Sequence, residues 1–301
     1  MQLQYCINKN GNFGDDLNAW LWSQLIPELL AKKDNNYLIG IGTILSHQQE
    51  TIPSEGKKIV FSSGTGYKVD AEIDEFWDII GVRGKKTAQA YHLSDDKVLC
   101  DGAYLLRQIV NAPPCSENNK IGFMPHHSSI PLFDWQSTCK KLGLYYISPQ
   151  QSVDTVLSNM QECNRIITEA MHGAIVADAL RIPWCAVSYS PSFLTFKWED
   201  WTSVLDIDAL IHQLPFVLKA GIPIKQIRAW KIKQFAGSFG IGKEKWRNFP
   251  KINANNENID ALHEILNNLK QTNHFQLSNN ESISILDSKL ENALQYLKKT
   301  Y

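Results

Sequence analysis

The chain has 301 residues, 44% of them hydrophobic and 20% charged, with a formal net charge of −1. That length exceeds the roughly 100–200 residues of one ordinary domain, so two are expected, and the near-neutral balance excludes a nucleic-acid binder held by a general positive field. No apolar run reaches the ~18 residues of a membrane span, Met1–Cys6 has no basic segment leading into an apolar one, and the six Cys form no Cys-x-x-Cys pair that would suggest zinc or a disulfide frame. A soluble, cytoplasmic protein is expected.

Short apolar runs alternate with helical stretches along the chain, the pattern of βαβ units around parallel sheets. Leu3–Ile7 reads as a strand and Asn12–Asp16 as a turn. Leu17–Leu30 reads as a helix, with Leu17, Leu21, Leu25 and Leu29 at helical spacing. Strands follow at Tyr37–Ile41, Lys58–Ser62, Ile79–Arg83 and Lys97–Cys100, with a helix starting near Lys85. Residues 110–119 have linker composition. The alternation then restarts: strand Lys120–Met124, helix Trp135–Leu142, strand Tyr145–Ile147, helix Val153–Met160, strand Arg165–Thr168, helix Ala170–Leu180 and strand Trp184–Val187. Two further helices are read near Ile259–Leu269 and at Ile283–Leu297, the last packing back across the domains. The reading is therefore α/β, two doubly wound Rossmann-like domains (1–115 and 116–280) facing a cleft, with a terminal helix at 281–301. In open parallel sheets ligands bind beyond the C-terminal strand edges, where the polar and glycine-rich motifs fall.

The strongest motif runs from Arg165 to Trp184. A buried strand ends at Thr168, Thr168 or Glu169 can cap the next helix, and His172 falls in its first turn beside Met171, with Gly173 allowing close backbone approach. Free N–H groups and the helix dipole make such a turn an anion site, and a His there can move a proton near neutral pH. A His packed at a helix start is the plainer alternative. Asn12-Phe-Gly-Asp-Asp-Leu-Asn18 places Asp15 and Asp16 at a helix start, as caps or with one as a general base. Gly40-Ile-Gly-Thr43 and Ser63-Gly64-Thr-Gly66 are glycine loops after strands and match neither a P-loop nor a Rossmann fingerprint. Arg83 ends a strand, placed for a phosphate, a carboxylate or an ion pair. His126 and His127 follow the first strand of the second half, without an acidic or thiol partner at metal-ligand spacing. Phe196-Lys197-Trp-Glu-Asp-Trp201 joins a cation to indoles, suited to a sugar, an anion or a structural anchor. A basic run (Lys225, Arg228, Lys231, Lys233, Lys243, Lys245, Arg247) with Trp230 and Trp246 is either a solvated face or a contact with anionic lipid-linked material at the inner membrane.

In order, Asn12–Asn18, Gly40–Leu45, Ser63–Gly66, Val82–Thr87, Asp101–Leu106, Gly122–His127, Ile167–Trp184 and Phe196–Trp201 resemble the polysaccharide pyruvyl transferase family. The resemblance implies a GT-B-like pair of domains, the first on the acceptor side and the second on the donor side. It implies phosphoenolpyruvate as donor, no cofactor or metal, and a sugar or lipid-linked oligosaccharide as acceptor of a cyclic pyruvate ketal. His172 matches the His of the family's Ser-x-Arg-x-His-like motif, Arg83 an Arg opening a strand-to-helix turn, and Asp15 the Asp of an Asn-x-Gly-Asp turn. Ala170 stands where many members have Arg, so the missing cation is expected from Lys197, Arg83 or His126. The implied site is His172, Asp15 and Asp16 for catalysis. Arg83, Glu169, Met171, Gly173, His126, Lys197, Gly64 and Gly66 would bind substrate. A sugar-nucleotide glycosyltransferase of the same architecture and a non-catalytic carbohydrate-binding protein remain as alternatives.

Overall fold

The structure, a computed structural model, describes residues 1–46, 55–66, 72–112, 119–190, 193–219, 221–239, 256–271 and 273–301. Residues 113–118 of the expected linker lie outside the described residues, as do Lys243, Lys245, Trp246 and Arg247 of the basic run.

The first half contains strands β1 (Gln2–Gln4), β2 (Tyr37–Ile39), β3 (Lys58–Ser63) and β4 (Trp77–Val82), all parallel and standing in chain order. Alternation along these strands feeds two faces: Leu38, Ile59, Phe61 and Ile80 enter one apolar cluster, and Ile39, Val60, Ile79 and Val82 another. Helix α1 (Phe13–Leu25) begins four residues before the expected start, because Asn12 is its cap and the Asp15–Asp16 pair its first turn. Pro27, unable to donate within a continuing helix, instead opens the separate short helix α2 (Pro27–Ala31). The expected strand at Lys97–Cys100 is reduced to a single parallel bridge, Val82 to Val98, after a 3-10 turn at Asp95–Lys97. A short helix α3 (Lys85–Ala90) follows β4, and a 3-10 helix, Gly102–Gln108, buries Ala103 through Leu106.

The second half has β5 (Ile121–Met124), β6 (Tyr145–Tyr146), β7 (Arg165–Thr168), β8 (Trp184–Ser188) and β9 (Ile211–Gln213) in the order β6-β5-β7-β8-β9, again all parallel. Its helices are α4 (Trp135–Leu142), α5 (Val153–Gln161), α6 (Met171–Ala179) and α7 (Thr195–Thr202). Here the strand order reverses between β5 and β7, the switch point of a doubly wound sheet, where the loops diverge and leave a crevice. The described strands of the first sheet show no such reversal, so the doubly wound expectation is corrected there: each of its strands joins next to its predecessor.

Helices α8 (Ile224–Ser238), α9 (Asn256–Gln271) and α10 (Asn280–Thr300) complete the chain. Helix α10 buries Ile283, Leu286, Leu290, Leu294 and Leu297, a 3–4 spacing that makes one apolar stripe. That stripe joins the largest cluster, which combines α1 and the 102–108 segment with α5, α6 and one face of each sheet. Arg107 to Asp287 at 3.0 Å ties α10 to the first half.

Candidate active site

A cavity of about 300 Å³ opens where the C-terminal edges of the two sheets meet. Its wall comes from residues that follow β1 (Cys6), β2 (Gly42–Ile44), β5 (His126, His127), β6 (Pro149), β7 (Glu169–His172) and β8 (Ser190), and from the starts of α1 and α7.

The turn from β7 into α6 is set by Thr168. Its Oγ1 accepts from the Ala170 amide at 3.0 Å and donates to the main-chain oxygen of Ala170 or Met124. Ala170 is therefore the helix cap, and the Met171 and His172 amides in the first turn have no acceptor within the helix. These groups line the cavity at the positive end of α6. Gly173 does not: a Cβ there would stand 2.4 Å from Thr168 Oγ1 and 2.9 Å from Met124 Sδ. Its lack of a side chain serves close packing of α6 on the strands, which corrects its expected role against a ligand.

His172 lies between Asp101 and the start of α1. Its Nε2 is buried and stands 3.7 Å from Oδ2 of the fully buried Asp101, an ion-pair distance too long for a hydrogen bond. Burial pushes the Asp101 carboxyl up, but His172, the Arg83 guanidinium and the Ala103 amide together hold it below the usual value. The other ring nitrogen lies against α1: a Cβ on Gly14 would be 2.3 Å from His172 Nδ1. Gly14 is thus where the imidazole rests on the helix.

The start of α1 separates the two adjacent acids. Asp16 Oδ2 accepts from the Asn12 amide at 3.0 Å, a helix-start contact, and Asp16 is not in the cavity wall. Asp15 is in the wall and accepts from the Asn12 amide side chain at 2.5 Å. Burial raises its pKa against the lowering pull of Asn12, His172, His127 and Lys197. Buried Asn18 fixes this turn to the loop after β2, donating to the Asp15 and Ile41 carbonyls and accepting from the Ile41 amide.

Glu169 gathers the switch point. Its carboxylate accepts from the His126 amide at 2.9 Å and from the Tyr189 and Ser190 amides at 3.3 and 2.6 Å, joining the loops after β5, β7 and β8. Burial nevertheless raises its pKa. The His126 and His127 rings lie against one another at a tilt of 41°, with centroids 4.2 Å apart. Burial, then repulsion from His127, Lys197 and His172, drives His126 down to about 3. His127 is lowered by burial as well. Both rings are therefore neutral hydrogen-bonding groups near pH 7.

Lys197, in the first turn of α7, is pushed down to about 8 by burial and by Arg83, with Asp15 opposing. Arg83 itself sits behind the wall, fully buried. Its Nε donates to Asp200 Oδ2 at 3.0 Å, Nη2 stands 2.9 Å from the same oxygen, and Nη2 also donates to the Thr65 carbonyl at 3.2 Å. Gly64 packs on that guanidinium, with a Cβ position 2.3 Å from Cζ. Arg83, Gly64, Gly66 and Asp16 are thus outside the cavity wall, and the first two form a structural clamp. Of the three groups expected to replace the missing Arg, Arg83 is engaged by Asp200 and His126 is neutral. Among the described residues of the wall, Lys197 is the one Lys or Arg.

The cavity therefore unites His172, Asp15, Glu169, Met171, His126 and Lys197. It adds Asn12, His127 and Ser190 to the wall, with Asp101 behind His172. A strand-end acid followed by glycine at Asp101-Gly102 was the available signal for Asp101. Among the described residues no group of three His, Cys, Asp or Glu is placed to hold a metal ion. The arrangement can hold an anion at Lys197 and the α6 amides, and can exchange protons at His172 and Asp15.

The family described as polysaccharide pyruvyl transferase matches residues 9–191, which carry this wall from Asn12 to Ser190. The chain is 35% identical over 232 residues to the succinoglycan biosynthesis protein ExoV of Rhizobium meliloti (strain 1021), covering 76% of this chain and 73% of that protein. No solved structure matches the chain.

Proposed function

This chain belongs to the polysaccharide pyruvyl transferase family, and we propose that it transfers the enolpyruvyl-derived group of phosphoenolpyruvate to a polysaccharide repeat unit as a cyclic ketal, releasing phosphate. The observation that carries this reading is one cavity holding the α6 N-terminus, His172 backed by Asp101, Lys197 and Asp15.

In this reading the donor phosphate sits on the Met171 and His172 amides and Lys197, where fixed dipoles and a cation meet its charge without reorganisation. A proton goes to the donor methylene carbon, which becomes methyl, while the neighbouring carbon gains oxocarbenium character. One sugar hydroxyl bonds to that carbon and loses its proton. A neighbouring hydroxyl then forms the second bond to it, phosphate leaves with its bonding electrons, and the second hydroxyl proton is released. His172 supplies the first proton: Asp101 faces Nε2, orients the ring and balances the imidazolium charge, with Nδ1 on the Gly14 side. Asp15, its pKa raised by burial, takes a hydroxyl proton. Neutral His126 and His127 give hydrogen bonds without adding charge, and Met171 flanks the donor.

The test supplies phosphoenolpyruvate with candidate oligosaccharides and follows phosphate release and product mass. Acceptor-dependent phosphate release and a sugar carrying one ketal-linked pyruvate are expected. Turnover of a sugar nucleotide in place of phosphoenolpyruvate would overturn the donor assignment, and acceptor binding with no phosphate release would overturn the reaction. His172→Ala should lower kcat by about 10²–10⁴-fold, measured as phosphate released per minute.

A further inference from the structure

The His172–Asp101 pair is held apart rather than bonded. His172 Nε2 and Asp101 Oδ2 face each other at 3.7 Å, and both are buried atoms with no hydrogen-bond partner among the described residues. A ring N–H and a carboxylate close to about 2.7–2.9 Å when nothing separates them, so the surroundings set this gap. Each side chain is fixed on its own element. Asp101 Oδ1 accepts from the Ala103 amide at 3.0 Å, and the His172 ring rests on Gly14. What remains is the placement of the 102–108 segment against α6.

Those two elements are tied again at the other end of α6. The Tyr104 hydroxyl donates to Asp178 Oδ1 at 2.9 Å, and both residues are buried. Burial and the Asp178 charge push the Tyr104 phenol up, so it stays a donor. Arg107 adds a partly exposed contact to the Ala179 carbonyl at 2.6 Å. Asp178 lies six residues beyond His172, about 9 Å along the helix and about a third of a turn around it. Two contacts that differ in height and direction restrain both sliding and rotation of α6 against the segment, which one contact cannot do. The geometry points to Tyr104 as a positioning residue: through Asp178 it holds the 102–108 segment against α6, so that Asp101 keeps its distance from His172. Neither Tyr104 nor Asp178 is in the cavity wall, so both act on the reaction through that pair. The effect on turnover rests on the proposed function; the effect on the surroundings of the His172 ring does not. Without Tyr104, Asp178 keeps Trp184 Nε1 and the Ser278 amide at Oδ2, both at 2.9 Å, and the Ser278 hydroxyl at Oδ1. Tyr104→Phe therefore leaves the carboxylate hydrogen-bonded and keeps the aromatic ring in the core.

Tyr104→Phe, Asp101→Asn and the double variant test this. Ser278→Ala is the control, because it takes a donor from the same Asp178 oxygen but lies outside the 102–108 segment. Tyr104→Phe should lower kcat at least about threefold with the KM for phosphoenolpyruvate unchanged, and should cost nothing further in the Asp101→Asn background. Equal losses in both backgrounds would mean that Tyr104 only supports the fold, and would overturn the proposal. So would a loss of the same size in Ser278→Ala. Nuclear magnetic resonance of the full chain with isotope-labelled histidine gives a second readout, the His172 ring signal being the one lost in His172→Gln. At a fixed pH that signal should move in Tyr104→Phe and stay in place in Ser278→Ala. A signal unmoved in Tyr104→Phe overturns the positioning role even where turnover falls. If wild type releases no phosphate from phosphoenolpyruvate, the proposed function fails, while the ring signal still decides this inference.

Discussion

Lys197 and Asp15 are perturbed in opposite senses within one cavity: the raised carboxyl of Asp15 suits it to take a proton, while the lowered ammonium of Lys197 limits the pH range over which it can meet an anion. Burial and Arg83 bring Lys197 down to about 8, so it is charged below that pH and neutral above it. Since kcat/KM reports the free enzyme, kcat/KM for phosphoenolpyruvate should fall as pH rises through about 8. Lys197→Arg, which keeps its charge, should move that limb to higher pH; a limb that stays in place would remove Lys197 from donor binding. Asp101 acts on the same site through His172. Asp101→Asn removes the carboxylate behind Nε2 while keeping size and the contact to Ala103. It should lower kcat by about 10–100-fold with little change in KM, because the loss falls on proton transfer rather than on the donor's anion contacts.

At the scale of elements, the motifs legible in sequence turn out to serve one another. Gly14 falls in the stretch Asn12–Asp16 read as a turn, but it lies inside α1, and its bare Cα is the surface on which His172 rests. Gly14→Ala should favour α1 by about 1 kcal/mol of helix propensity while driving a methyl to 2.3 Å from His172 Nδ1. The expected outcome is a folded protein, with its thermal transition within a few degrees of wild type, and kcat reduced at least tenfold. Unchanged kcat would mean that the ring position does not matter. Helix α4 and strand β7 coincide with their expected bounds because local signals agree there. Asp134 caps α4, accepting from the Ser137 amide, and Gly143 at φ +66° ends it. At Lys97–Cys100 the local pattern is apolar enough for a strand, but only Val98 finds a partner, so pairing rather than propensity decides.

Across the whole molecule, Arg83 links β4, the loop after β3 and α7 through Asp200, whose Oδ1 also accepts from the Thr87 amide at 2.8 Å. Removing one partner leaves an uncompensated buried charge, so Arg83→Gln should cost about 3–5 kcal/mol in denaturant unfolding. The paired change Arg83→Met with Asp200→Leu should cost less than either single removal. If Arg83→Gln left stability intact and raised only the KM for phosphoenolpyruvate, Arg83 would be a substrate contact instead. From the sequence the Arg could be placed at a strand end, but not its partner, which lies 117 residues away.

Periodicity, caps and strand-end polar residues determined by themselves that the chain is α/β, where most elements lie, and that His172 and Asp15 stand at helix starts; the helix start that carries Lys197 came only from the structure. Those signals are local, carried by residues within a few positions of each other. Tertiary structure alone decided that Asp15 rather than Asp16 enters the cavity, that Arg83 is spent on Asp200, that Gly173 serves packing, and that Asp101 stands behind His172. Each of these depends on which distant strand edges meet, and on charges whose burial sets their protonation. The His read in the opening turn of a helix thus becomes a ring held between Gly14 and Asp101.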